Sequence, residues 1–413
     1  MLKNYFKIAI AVLKRRKFFT FISLFGISFT LTVLMILTAF IDKVGNSNYP
    51  DKKRDRCLYI LNMEMTGSKN GAMTKGPHSF YFLDHYTKSL KTPEKVAISS
   101  MFDFSSAYVN NKKVPINLKF TNADYWDVLD YDFLEGKPFS KQQVDNAEKV
   151  AVISEDTKKA YFGDAPSVVG KYIEADNIKY RVSGVVKNVP ITQMMMYGDM
   201  YLPYTVSKND YKKDKGFNGN FSGILLAKSV DDLPKMQKEY SDMIPRIKIT
   251  EKEFDHLYSF ADTYFVSLIR VILGDGPNSG ISKLVIGLSI FVFLFMLLPT
   301  INLVNINITR IMERSSEIGV RKAFGASSQT LVYQFIVENI ILTLLGGLIG
   351  VVLSVIVMQL INNSGLIANL NLSLNYVVLF CSLLACLVFG LLSGVYPAWR
   401  MSRLNVVNAL KAQ

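Results

Sequence analysis

The chain has 413 residues, 50% hydrophobic and 20% charged, with a formal net charge of +13 from 47 Lys+Arg and 34 Asp+Glu. Half a chain that seeks burial excludes disorder. A mean hydropathy of +0.21 beside long uncharged runs argues against a nucleic-acid-binding domain. Residues 43–280 hold 33 basic and 30 acidic residues, leaving 14 basic and 4 acidic elsewhere. The excess therefore lies outside the longest polar segment.

In chain order, residues 1–17 carry six Lys/Arg and no acid, and they predict a cytoplasmic amphipathic helix. Residues 18–41 follow without a charge. About 20 apolar residues cross a ~30 Å hydrocarbon core, so this run is the first predicted span. It is too long for a signal h-region, and Leu37-Thr38-Ala39-Phe40 is a poor cleavage sequence, so it reads as an uncleaved anchor. Residues 284–308, 331–361 and 376–397 supply three more spans, giving a four-helix membrane protein with a large α+β domain between helices 1 and 2. Basic residues favour the cytoplasmic side. Arg310, Arg314, Arg321 and Lys322 in the 309–330 loop, and Arg400, Arg403 and Lys411 in the 398–413 tail, place both of these segments and both termini inside. The uncharged 362–375 turn and the 43–280 domain are then outside.

The outer domain reads as mixed α/β. Strands are predicted at Cys57–Met65, Lys95–Phe102, Val150–Ile153, Lys179–Val186 and Gly223–Ala227, and helices at Phe80–Leu90, Asp231–Met243 and Tyr264–Leu273. Asn110-Asn111 turns a hairpin between Ser106–Val109 and Val114–Phe120. Asn122 is the predicted cap of a helix through Leu129, and Ser154 opens a helix that stops at Gly163. A base from about 43–105 and 205–280 would carry an inserted lobe at about 106–204. Cys57 is the only cysteine of this domain, so no internal disulfide holds it.

Candidate sites are few. Asp124, Asp127, Asp130, Asp132 and Glu135 lack the glycine and ligand register of a calcium loop. His78, His85 and His256 are too scattered for zinc. No nucleophile arrangement stands out, so neither catalysis, a cofactor nor a metal is expected. Met194, Met195 and Met196 offer either an adaptable contact for partner or cargo, or core packing under a loop. In the membrane, Gly346, Gly350 and Ser354 on helix three, and Gly390 and Gly394 on helix four, form small-residue faces. Such faces let backbones approach closely, whether within one bundle or between two subunits. Glu338 is expected at the cytoplasmic interface or bonded to a neighbouring helix, and no polar path for substrate crosses the spans.

The cytoplasmic loop carries the most specific pattern. Glu313, Glu317, Ile318, Gly319, Arg321, Lys322, Ala323 and Gly325 lie on a short charged helix with Ile311, Ile318 and Phe324 as its apolar residues. Glu317-Ile318-Gly319-Val320-Arg321-Lys322-Ala323-x-Gly325-Ala326, then Gln334-Phe335-x-x-Glu338 and the Gly-rich third helix, resembles the permease signature of MacB/FtsX-type ABC transporters. Gly394-Val395-Tyr396-Pro397-Ala398-x-Arg400 resembles the closing motif of that family, and basic residues before Leu24-Phe25-Gly26-Ile27 resemble its start. Asn122-Ala123-Asp124-Tyr125-Trp126, Leu134-x-Gly136-Lys137-Pro138-Phe139 and Val182-Ser183-Gly184-Val185-Val186 match in the outer domain. The tail departs from the family at Val406 and Asn408, where proline and glutamate are frequent.

The resemblance implies a permease subunit that transmits the work of an ABC ATPase dimer acting in trans, with ATP and Mg in that partner. A phosphate loop needs G-x-x-x-x-G-K-[ST], and the Gly-Lys pairs here, Gly136-Lys137 and Gly170-Lys171, lack it. It further implies two permease units per complex, as a homodimer or a close-paralogue heterodimer. Export of an antimicrobial, macrolide or peptide-like substrate by mechanotransmission follows, with a periplasmic adaptor and outer-membrane channel as further partners. The implied location is a bacterial inner membrane, so membrane lipid is a partner and nucleic acid is not. Other uses of such a lever are lipoprotein release or control of a cell-wall hydrolase, and a different class is an ATP-independent membrane sensor.

Overall fold

The computed structural model describes residues 17–46, 48–101, 103–109, 112–209, 211, 215–313, 328–365 and 371–402. The chain forms two compact units. One comprises Met1–Asp42, Ile286–Leu366 and Asn371–Gln413, and the other Lys43–Val285 with Ile367–Leu370. A large α+β unit is thus inserted in the sequence between long apolar helices.

Helix α1 (Lys17–Gly45) is followed by strands β1 (Cys57–Ile60), β2 (Asn62–Thr66) and β3 (Met73–Pro77), helix α2 (Phe80–Thr87) and strand β4 (Lys95–Ser100). Next come β5 (Asp103–Val109), β6 (Lys112–Thr121), α3 (Tyr125–Val128), β7 (Phe133–Gly136), α4 (Lys141–Asp145), β8 (Val150–Ser154) and α5 (Glu155–Phe162). The domain closes with β9 (Tyr172–Ala175), β10 (Ile178–Val186), β11 (Met200–Pro203), β12 (Phe221–Leu226), α6 (Leu233–Met243), β13 (His256–Ser259) and α7 (Tyr264–Leu273). Three long helices end the chain: α8 (Ile281–Glu313), α9 (Ser328–Asn363) and α10 (Tyr376–Ser402).

One ten-stranded sheet runs β1-β12-β4-β6-β11-β8-β10-β7, with β5 added to β6 and β9 to β10. A smaller sheet runs β13-β2-β3. Strands β8, β11 and β12 are buried throughout, so their sequences read as apolar runs without alternation. Alternate residues nonetheless feed opposite faces. Leu58, Ile60, Ile153 and Leu225 pack in one core. Tyr59, Leu61, Val152 and Ile224 pack in the other. Residue 106 lies inside β5, and β4 meets β6 at the single register pair Ser99↔Thr121.

Local chemistry explains the element ends. The Ser154 hydroxyl accepts from the Thr157 amide at the start of α5, with Glu155 and Asp156 in the first turn, and Gly163 ends the helix at φ +63°. Ser140 and Gln143 form a reciprocal capping box on α4.

Two expectations need correction, and a third is met in part. The Cys57–Met65 run is two strands: β1 pairs with β12 in the large sheet, whereas β2 pairs with β3 and β13 in the small one. Both halves are largely buried, so hydropathy carries no mark of the change of sheet at Leu61. Asn122 does not cap a helix to Leu129. Its carboxamide accepts from the Ile98 amide and donates to the Val96 carbonyl, acting as one more rung between β4 and β6. The helix is a single turn, Tyr125–Val128, with Asp124 before it. Finally, four full spans were expected. Among the described residues, α1 and residues 336–363 of α9 are long and apolar enough to cross a bilayer, whereas the described apolar stretches of α8 and α10, Ile281–Leu297 and Tyr376–Leu392, are shorter.

Large apolar side chains cover the outside of α1, where Phe21 stacks on Phe25 and Phe25 on Phe29 at 6.2 and 5.7 Å. Such a surface suits hydrocarbon, in which apolar exposure is not penalised.

Among the titratable side chains sealed in the ectodomain are a histidine and a lysine. His78 is fully buried, its Nε2 is 2.7 Å from the Ser259 hydroxyl, and burial lowers its pKa to about 3. Lys119 is also buried, with Nζ donating to the Ser100 carbonyl at 2.7 Å, and burial lowers its pKa to about 7. An unfolded lysine titrates near ~10.4. Below pH 7 both states bind the proton and the fold bears the full cost of a buried ammonium. Between the two values only the unfolded chain binds it, so stability must rise with pH. The ectodomain melt should therefore gain about 3 kcal/mol from pH 7 to about 9.5. Lys119→Met should flatten that rise, as read by near-UV circular dichroism of the purified chain.

Candidate functional site

Among the described residues of the ectodomain, the most connected buried side chain is Arg54, inside the charged run Asp51-Lys52-Lys53-Arg54-Asp55-Arg56. Its Nε donates to Asp51 Oδ2 at 2.7 Å, and its Nη2 to Gln193 Oε1 at 2.6 Å. Nη1 donates to the carbonyls of Val44, Gly45 and Asn46. These groups close the C-terminal end of α1, where a helix leaves carbonyls without intrahelical partners and favours a cation. The guanidinium lies 3.8 Å from the Tyr264 ring centroid, and the Tyr59 hydroxyl donates to Asp51 Oδ2 at 2.7 Å. Asp51 is wholly buried. Burial raises its carboxyl above the usual range, with Arg54 and Tyr59 pulling the other way. Arg54 therefore ties the end of α1, the Gln193 loop and the first residue of α7 into one hydrogen-bonded centre. Sequence reading missed it because Lys52-Lys53-Arg54-Asp55-Arg56 reads as a solvated charge run, and only the i,i+3 spacing of Asp51 and Arg54 marks it.

The methionine segment divides. Met195 and Met196 are buried at 1% and 0%, whereas Met194 is 46% exposed. The Met196 carbonyl accepts from the Tyr131 and Tyr201 hydroxyls at 2.8 and 2.9 Å, while Tyr125 donates within the same cluster. Trp126 packs edge-on against Tyr131 and Tyr201. A run of three like residues thus puts two into the core and presents one outside, beside Ile191 and Phe104, which are also exposed.

The acidic cluster is held by lysines. Lys95 pairs with Asp124 and Asp127, Lys53 with Asp130, and Lys52 with Asp132, while Glu135 pairs with Lys158 and accepts from Ser167 and Val168. These interactions hold Glu135 below the usual carboxylate range, although burial works against them. Among the described residues no His/Cys/Asp/Glu group could hold a metal ion.

Within the helical unit the small residues lie against neighbouring helices of the same chain. A Cβ on Gly346 would meet Ile27 at 2.9 Å, and one on Gly350 would meet Leu31 and the Ser28 carbonyl at 3.0 Å. Thr32 Oγ1 donates to the Gly350 carbonyl at 3.2 Å. A Cβ on Gly390 would overlap Thr343 Oγ1, and Ser354 is fully buried with its hydroxyl on the Val351 carbonyl. Glu338 is buried at 4%. Gly394 lies within α10, but its surroundings fall outside the described residues. Glu313 is the last residue of α8, and Glu317, Ile318, Gly319, Arg321, Lys322, Ala323 and Gly325 also fall outside the described residues.

Comparison with known proteins matches residues 20–242 to the MacB-like periplasmic core domain and residues 289–406 to the FtsX-like permease C-terminal domain. Both are non-catalytic modules, distinct from the ATPase domain. The chain is 25% identical to the ABC transporter permease YknZ of Bacillus subtilis over 80% of this chain and 79% of that one. It is 27% identical to the macrolide export ATP-binding/permease protein MacB of Acinetobacter baylyi, over 78% of this chain and 46% of that one. The chain thus spans about half the length of the MacB proteins it matches. The periplasmic region of MacB from Actinobacillus actinomycetemcomitans is similar at 16% identity, with a TM-score of 0.36 over 52% of this chain and 92% of that one. With a periplasmic core module followed by a permease module, the chain belongs to the MacB/FtsX-type family of ABC-transporter permeases.

Proposed function

We propose that this chain is the permease subunit of an export system in which a separate ABC ATPase dimer drives extracytoplasmic conformational change by mechanotransmission. The order of modules supports this reading: a periplasmic core over 20–242, then a permease module over 289–406. Four spans, at 18–41, 284–308, 331–361 and 376–397, carry the motion, with both termini and the 309–330 loop cytoplasmic. The loop is the lever: Glu313, Glu317, Arg321 and Lys322 engage charged partners on the ATPase, while Ile318 and the small residues Gly319, Ala323 and Gly325 seat it in a groove. Two permeases stand on one ATPase dimer, as a homodimer or a paralogue pair. The base at about 43–105 and 205–280 relays the motion to the lobe at about 106–204. ATP and Mg stay in the partner, and the cargo is handled outside the membrane. Relatives carry the name of macrolide exporters, and an amphipathic antimicrobial or peptide-like cargo, passed to a periplasmic adaptor and an outer-membrane channel, fits the same machinery.

Purification of the tagged chain from native membranes should bring down an ABC ATPase whose turnover depends on the permease. Glu317→Ala with Arg321→Ala should abolish that dependence while the ectodomain melt stays unchanged. Recovery of no ATPase, together with full function of the double variant, would refute the reading.

A further inference from the structure

The lobe carries an open cleft of about 540 Å³ that no established role accounts for. Its rim is apolar: Phe104, Ile191 and Met194 are exposed at 82%, 42% and 46%. Asn117, Tyr197 and Asp199 line it as well. The polar part is rigid. The Asn117 and Asp199 backbones are paired, the Asn117 amide donates to Asp199 Oδ2 at 2.8 Å, and the Tyr197 hydroxyl donates to Oδ1 at 3.3 Å.

Two features of that part point to a ligand. Among the described residues no Lys, Arg or His lies within ion-pair distance of Asp199, although every member of the nearby acidic cluster has a lysine. Asn117 is 5% exposed, its Oδ1 accepts from the Asp103 amide, and its Nδ2 is buried without a hydrogen-bond partner. A buried donor left unmet is costly, and an acceptor supplied by a ligand removes that cost. The volume lies within the range of small-molecule sites, which pair apolar walls with a few placed polar groups.

We propose that this cleft binds an amphipathic amine, its ammonium on Asp199, a neighbouring hydroxyl or ether oxygen on Asn117 Nδ2, and its apolar body against Phe104, Ile191 and Met194. The proposal deepens the export reading by assigning a cargo class to one face of the ectodomain, and it rests on that reading. Burial raises the Asp199 carboxyl, the hydrogen bonds from the Asn117 amide and the Tyr197 hydroxyl lower it, and Asp156 raises it again, so an arriving cation offsets the burial of this carboxylate. A cation is thus preferred over a neutral molecule of equal shape.

The test uses the full chain in nanodiscs of zwitterionic lipid, with empty nanodiscs subtracted, and propranolol as the probe. This compound joins an aromatic body, an ether, a hydroxyl and a secondary ammonium. Its N-acetyl derivative keeps the body and loses the charge. Calorimetric titration should show the amine bound at least about tenfold more tightly than the amide, the size expected for a hydrogen bond to a charged group. Asp199→Asn should erase the preference. Met194→Lys, at an exposed position that leaves the melt unchanged, should abolish amine binding. Equal affinity for amine and amide, or a preference that survives Asp199→Asn, would overturn the assignment. If the ATPase still co-purifies and depends on Glu317 and Arg321, the cleft assignment alone has failed and the permease reading stands.

Discussion

Arg54→Met should cost the ectodomain about 3–5 kcal/mol, the penalty for breaking a buried ion pair and leaving one partner charged. Asp51 is wholly buried, and Arg54 is its only salt-bridge partner among the described residues. The same substitution removes the donors to the Val44, Gly45 and Asn46 carbonyls and to Gln193, as well as the cation over Tyr264. Asp51→Asn in the Arg54→Met background should recover part of the loss, since no charge is then stranded. Arg54→Lys should not match the native residue, because one ammonium cannot reach partners arranged around a planar fork. Lys52→Met provides the comparison. Its pair with Asp132 is about half exposed, and its loss should cost less than about 1 kcal/mol. Thermal melts of the four variants in one detergent, followed by near-UV circular dichroism, decide the matter. An Arg54→Met melt equal to that of Lys52→Met would refute the central role of Arg54.

Gly350→Leu should cost the helical unit about 2–3 kcal/mol or more, as overpacking of a close helix contact does. The first carbon of any side chain there already meets Leu31 and the Ser28 carbonyl at 3.0 Å. A backbone carbonyl cannot rotate away as a side chain can, so α1 and α9 must separate and the Thr32 to Gly350 hydrogen bond must lengthen. Gly346→Leu, against Ile27, should act in the same direction. Gly287→Leu in α8 meets nothing within 4 Å and should be neutral. Monodispersity after heating, measured by size-exclusion chromatography, separates these outcomes. Equal tolerance at positions 287 and 350 would mean that the α1–α9 contact does not hold the unit together.

Much of the architecture is legible from residue order because its causes are local. Ser154, Glu155, Asp156 and Gly163 frame α5 through a cap, a dipole and a left-handed glycine. Tyr264–Leu273 is a helix with the expected bounds. The uncharged runs and the basic residues beside them need only hydropathy and membrane electrostatics. Small residues at four-residue spacing mark close helix contacts, but spacing cannot say whether the partner lies in the same chain. The structure puts Ile27, Leu31 and Thr343 of this chain against Gly346, Gly350 and Gly390.

Other features have causes remote in sequence. Asn122 looks like a cap until β4, more than twenty residues earlier, supplies amide and carbonyl partners for its carboxamide. Arg54 looks solvated until Gln193 and Tyr264 enclose it. The split of Met194 from Met195 and Met196 depends on three tyrosines converging on one carbonyl.

Length, composition and charge by themselves determined that this is a membrane protein, that the +13 belongs mainly to the residues outside 43–280, and that the domain at 43–280 is nearly neutral. Those properties are sums over residues and do not depend on who touches whom. Only the tertiary structure decided that Asp199 has no ion-pair partner among the described residues, whereas Asp124, Asp127, Asp130, Asp132 and Glu135 each have a lysine, and that one arginine is buried at the end of α1. Pairing and burial depend on three-dimensional neighbours, and a count of charges contains no information about neighbours.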